Sequence, residues 1–185
     1  MGNLLTSIGE VLTAINFAAL LLILALKQKR TAFEVIVFIT MLLSIGHLTI
    51  EYKLHKMGVN GGDVGFIRAA WYLGFSSTYL IHIVVCTLYC NAKNLVRDKS
   101  STIILISFFI AAILQVLRYI DRLILETNVL GPLYTNGIPA INSICTIVIV
   151  MYVASKYLTN GEVGLYLRKF KLTSPLIRGA TRWIK

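Results

Sequence analysis

The chain has 185 residues and a mass of 20.6 kDa, is 57% hydrophobic and 14% charged, and has a mean hydropathy of +0.77. Soluble domains run at about 45–50% apolar and about 25% charged, so a disordered chain, a collagen, a disulfide-stapled scaffold and a water-soluble globule are excluded, and lipid is the expected solvent. Lys and Arg number 18 against 8 Asp and Glu, giving +10; these charges sit between or after apolar runs, where they signal membrane orientation and contact with anionic headgroups instead of nucleic-acid binding.

A spanning helix needs about 20 mainly apolar residues, and five stretches qualify, at about 4–26, 32–54, 66–90, 102–125 and 138–158. The expected fold is an all-α integral membrane protein: a five-helix transmembrane bundle over 1–158, then a basic amphipathic tail over 159–185 that forms an interfacial helix.

In the first stretch Thr6, Glu10, Thr13 and Asn16 fall on one helical face. The opening MGNLLTSIGE carries no basic residue ahead of the apolar run and so does not read as a secretory signal. Gly2 and Thr6 match a myristoylation pattern, but that modification requires a cytoplasmic N-terminus, against which the charge distribution argues. Lys27, Lys29 and Arg30 follow.

In the second stretch Thr40, Ser44, His47, Glu51 and His55 recur at helical spacing. His47 and Glu51 form an acid/base pair without a nucleophile or metal beside it, which suits at most a proton relay. The connector KMGVNGGDVG is glycine-rich and reads as a flexible turn. The third stretch carries a polar stripe along its whole length: Arg68, Tyr72, Ser76, Tyr79, His82, Cys86 and Tyr89. Its Ala69, Ala70, Gly74, Ser76 and Ser77 offer a tight-packing surface, within the bundle or between subunits. Cys86, Cys90 and Cys145 form no CxxC pair and read as small buried residues.

In the fourth stretch Ser107, Ala111, Gln115, Arg118 and Arg122 share a face, with Asp121 three residues after Arg118. The connector NVLGPLYTNG contains two turn signals, Gly131-Pro132 and Asn136-Gly137. The fifth stretch has Asn142 and Thr146 on one face. In the tail, Ser174-Pro175 marks a helix start; Leu176, Ile177, Ala180, Trp183 and Ile184 then lie on one side and Arg178, Arg182 and Lys185 on the other. With Arg168, Lys169 and Lys171, the basic residues and Trp183 are the expected membrane-surface contacts.

Thirteen basic residues follow the first, third and fifth stretches, whereas the opposite connectors offer Lys53 and Lys56 alone. The positive side is cytoplasmic, which puts the N-terminus outside and the C-terminus inside. The absence of an N-x-S/T sequon fits a bacterial inner membrane.

An ionisable group near the centre of a spanning helix costs about 2.5–3.5 kcal/mol and must face protein or water. The stripes therefore mark an interior, and the candidate ligand- or ion-binding residues are Glu10, His47, Glu51, Arg68, Tyr72, Tyr79, His82, Gln115, Arg118, Asp121 and Arg122. They suit a closed network of ion pairs, a contact surface for another membrane subunit or homo-oligomer, or an outward vestibule in which the arginines grip a carboxylate or phosphate. The expected function is a ligand-binding, sensor or accessory subunit with an arginine-containing cavity; the alternatives are an oligomeric ion or proton channel or transporter, and a structural subunit of a larger complex. No HExxH, GxSxG, Walker A, GxGxxG or TVGYG motif supports an enzyme or a potassium filter. No cofactor is specified: His47 and His82 fall at different depths, which disfavours haem, and no mid-span Lys exists for retinal.

Overall fold

The structure, a computed structural model, describes the backbone of residues 2–25 and 31–160 and the side chains of 11–25 and 31–156. The tail residues Arg168, Lys169, Lys171, Arg178, Arg182, Trp183 and Lys185, the linker residues Lys27, Lys29 and Arg30, and the side chain of Glu10 lie outside the described residues.

Among the described residues the regular structure is helix alone, with no strand: α1 (Gly2–Ala25), α2 (Ala32–Val59), α3 (Val64–Ala92), α4 (Lys99–Tyr119) continuing into a π-helical turn (Ile120–Ile124), and α5 (Gly131–Asn160). The segments Ala32–Val59, Val64–Ala92, Lys99–Ile124 and Gly131–Lys156 are long and apolar enough to cross a membrane, and α1 adds the shorter apolar stretch Val11–Ala25.

Local chemistry sets the helix ends. Thr31 caps α2 in a reciprocal box: its Oγ1 accepts from the Glu34 amide at 3.4 Å, and Glu34 Oε2 accepts from the Thr31 amide at 3.3 Å. Asp63 and Asp98 cap α3 and α4, each accepting a backbone amide, of Phe66 and of Ser101, at 2.7 Å. The α2–α3 turn needs a left-handed residue and has Gly61 there, at φ +77. Asn94 takes the same role after α3, at φ +50.

Two connectors are shorter than the glycine content suggests. Most of KMGVNGGDVG is helical, because α2 runs on to Val59 and α3 starts at Val64. Helix α5 starts at Gly131, so Pro132 stands in its first turn, where a missing N–H costs nothing. Asn136-Gly137, a turn signal in isolation, lies inside α5; Asn136 Nδ2 donates back to the Pro132 carbonyl at 2.9 Å. A side chain on Gly137 would meet Leu114 Cδ1 at 3.1 Å, so this glycine permits the close approach of α5 to α4.

The five helices close a ring in chain order: each packs on the next, and α5 returns to α1. One end of the ring is solid. There Ala19, Leu20 and Ile23 of α1 meet Phe33, Ile36 and Val37 of α2, Ile104 of α4, and Ile149, Tyr152 and Val153 of α5. The same end carries a latch between α2 and α5. Lys156 Nζ pairs with Glu34, Thr31 Oγ1 lies 3.0 Å from the Tyr152 hydroxyl, and Phe33 stacks on the Tyr152 ring at 3.9 Å. The outer surface is apolar: Leu21, Phe38, Leu42, Ile45, Ile81, Leu88, Ile106, Phe109 and Ile147 are exposed. Thr40, Ser76, His82, Ser101, Ser107, Gln115, Arg118 and Asp121 are buried inside.

Candidate functional site

At the other end of the ring the helices enclose a cavity of about 220 Å³. All five contribute to its wall: Leu12, Thr13 and Asn16 from α1; Thr40, Leu43, Ser44, His47, Leu48 and Glu51 from α2; Trp71, Phe75 and Tyr79 from α3; Phe108 and Gln115 from α4; and Tyr134, Ile138, Asn142 and Cys145 from α5. The cavity exists because polar residues recur every three or four positions on each helix, so each helix turns a polar strip to the axis.

Hydrogen bonds fix most of the polar wall. Thr40 Oγ1 donates to the Ile36 carbonyl at 2.8 Å and lies 3.1 Å from His82 Nε2. A hydroxyl has one hydrogen, so His82 Nε2 is the donor in that contact. Thr78 Oγ1 likewise donates to the Phe75 carbonyl at 2.8 Å and sits 2.6 Å from His47 Nε2, which makes His47 Nε2 the donor. Both rings are held edge-on by aromatics, His47 by Phe75 and Tyr79, and His82 by Phe108. Ser44 Oγ donates to the Thr40 carbonyl at 3.0 Å. Across the cavity, Trp71 Nε1 donates to the Tyr134 hydroxyl at 3.2 Å, and Tyr134 donates to Gln115 Oε1 at 3.1 Å. Asn16 Oδ1 is buried and accepts no hydrogen bond from the described residues.

The arginines expected to line the cavity do not do so. Arg118 is buried and largely committed: Nη1 pairs with Asp121 and Nη2 donates to Asn128 Oδ1 at 2.6 Å, while Nε has no partner among the described residues. Asp121 is the hub of a knot. It also accepts the Thr127 hydroxyl and the amides of Val129 and Leu130, at 3.1 and 3.2 Å, and so folds the loop between the π-helical turn and α5. The π-helical turn places Asp121 inward beside Arg118. Arg68 is exposed and Arg122 half-buried, and neither lines the cavity.

Of the other expected residues, His47, Glu51, Tyr79 and Gln115 come together on the cavity wall. Tyr72 lies behind it, edge-on to Tyr134 at 5.7 Å between ring centroids. His82 is buried one layer beyond Thr40, toward the solid end; its Nδ1 has no hydrogen-bond partner among the described residues. Sequence reasoning missed Trp71, Tyr134, Asn128 and Thr78. Trp71 and Tyr134 carry polar tips in apolar surroundings, a signal for a buried hydrogen bond. Asn128 and Thr78 are found only by knowing which residue faces them. Among the described residues no group of three or more His, Cys, Asp or Glu is placed to hold a metal ion. Cys86, Cys90 and Cys145 are free and buried.

No protein-family model, no curated protein and no solved structure matches this chain.

Proposed function

We propose that the protein is a membrane-embedded receptor subunit that binds a small polar molecule in its central cavity. The observation that carries this reading is the cavity itself: five helices converge on one space lined by His47, Glu51, Asn16, Ser44 and Asn142. A bundle selected only for packing would fill that space with side chains, as the other end of the ring is filled. The apolar exterior supports lipid as the surroundings, since a soluble chain does not display so much contiguous hydrocarbon. The basic residues after α1, α3 and α5 support a cytoplasmic position for the solid end, so that the cavity lies toward the outer face. The bacterial inner membrane is the proposed site, and anionic headgroups are the proposed contacts of the basic tail.

Binding is favoured over conduction by the plug of Leu20, Ile23, Phe33, Ile36, Ile104 and Ile149, which fills the solid end of the ring with apolar side chains. A thermal-shift screen of the full chain in detergent tests the reading. A ligand at a hundred times its Kd stabilises by about 2.7 kcal/mol. Ser44→Leu, which replaces the Oγ on the cavity wall by three carbons, should keep the fold and lose the shift. A screen in which no compound class moves the melt, or in which Ser44→Leu shifts as wild type does, would overturn it.

A further inference from the structure

We infer that the cavity is built for a small organic ammonium ion, with Glu51 as its counter-ion. This rests on the reading of the cavity as a ligand site and adds the chemical class of the guest. The first ground is the direction of the hydrogen bonds. Donors on the wall are spent internally: Thr40 O–H on Ile36, Ser44 O–H on Thr40, Trp71 N–H on Tyr134, and Tyr134 O–H on Gln115. His47 spends its Nε2–H on Thr78, which leaves Nδ1 as a lone pair in the neutral ring. The acceptors left for a guest are the Glu51 carboxylate, His47 Nδ1, Ser44 Oγ and Asn16 Oδ1, which has no partner among the described residues. The uncommitted donors belong to neutral amides and to the Tyr79 hydroxyl.

The second ground is charge. Glu51 is half-buried on the wall and takes part in neither of the two ion pairs among the described residues, Arg118–Asp121 and Glu34–Lys156. Among the described residues no Lys or Arg lines the cavity. An anionic guest would meet a carboxylate and no cation, whereas a cationic guest would neutralise it. The third ground is the ring content of the wall. Trp71, Phe75, Tyr79 and Phe108 supply aromatic surface, and the polar tip of Trp71 is already engaged, so it offers a guest its ring; Tyr134 adds its edge, since the Arg118 guanidinium stands over its face at 5.9 Å from the centroid. Acceptors, one carboxylate and aromatic rings are the combination that holds an alkylammonium group. A benzene-binding cavity of ~150 Å³ scales to roughly nine non-hydrogen atoms for this volume, the size of a simple arylalkylamine.

The chain has two tryptophans, so Trp183→Phe leaves Trp71, in the cavity wall, as the sole fluorophore. The full chain carrying that change, in lipid nanodiscs, is titrated with phenylethylammonium, phenylethanol and phenylacetate, which share one ring and differ in charge. The ammonium should change Trp71 emission saturably and bind about tenfold or more tighter than the alcohol, with the carboxylate weakest. Glu51→Gln should remove the preference for the ammonium, so that ammonium and alcohol bind alike; a thermal melt establishes that the variant folds. Should it not fold, Glu51→Asp, which keeps the charge and withdraws it, should weaken the ammonium alone. Equal binding of ammonium and alcohol, or an ammonium preference that survives Glu51→Gln, overturns the charge assignment and leaves the cavity a site for neutral guests. Silence of all three probes at millimolar concentration, in emission and in melt, overturns the ligand site together with it.

Discussion

Replacing Tyr134 by Phe removes a single oxygen and breaks two hydrogen bonds. The Tyr134 hydroxyl accepts from Trp71 Nε1 at 3.2 Å and donates to Gln115 Oε1 at 3.1 Å, and so ties α3, α5 and α4 together around the cavity. Gln115 is only 2% exposed, so little of its surface is open to water that could replace the lost donor. Hydrogen bonds between membrane helices average about 0.6 kcal/mol and reach about 1.7. Two of them, lost together with both partners left in place, give an expected destabilisation of about 1–3 kcal/mol. The assay is unfolding by sodium dodecyl sulfate in mixed micelles, followed by Trp71 emission in the Trp183→Phe background. The emission of folded Tyr134→Phe should itself change, because the indole N–H loses its acceptor. Tyr72→Phe is the control: its ring touches Tyr134, yet its hydroxyl makes no hydrogen bond to the described residues, and it should stay near wild type. Coupling supplies a second check. Gln115→Leu should cost less in the Tyr134→Phe background than in wild type, since its partner is already gone. A Tyr134→Phe protein within about 0.3 kcal/mol of wild type, with unaltered emission, would refute the bridging role.

Two further sets of changes probe the ends of the ring. Asp121→Ala strips the acceptor shared by Arg118, Thr127, Val129 and Leu130. It should lower the melting midpoint by more than Tyr134→Phe does and accelerate hydrogen exchange at the Val129 and Leu130 amides specifically; unchanged exchange there would remove Asp121 from the centre of the knot. At the solid end, Lys156→Met and Glu34→Gln each break the α2–α5 latch. Each single change should destabilise, and the double variant should recover part of the sum, with a coupling energy of about 0.5–3 kcal/mol in a double-mutant cycle; strict additivity would show that the two residues meet without holding the helices together.

Some of this architecture is written in the sequence, because it depends on spacing along one helix. Long apolar runs dictate helices, and Thr40, Ser44, His47 and Glu51, three or four apart, must share a face wherever α2 packs. All four line the cavity, as do Thr13 and Asn16 of α1, Tyr79 of α3, Gln115 of α4 and Asn142 of α5. The stripe of α3 is inward only in part: Ser76, Tyr79, His82 and Cys86 are buried, while Arg68 and Tyr89 are exposed at its two ends. Periodicity defines a face but not how far along the helix a neighbour covers it.

What the tertiary structure alone decided is the fate of the arginines and the composition of the cavity. From spacing, Arg118 is equally a ligand clamp or half of an ion pair. The π-helical turn and the loop that follows bring Asp121 and Asn128 to its two terminal nitrogens, while Nε has no partner among the described residues. The direction of each hydrogen bond is likewise a property of the folded chain, since Thr78 and His47 stand 31 positions apart and Trp71 and Tyr134 stand 63 apart. Sequence records which side chains can be polar neighbours within one helix. Only the assembled ring determines which donors and acceptors cancel, because that depends on which helices meet and at what depth.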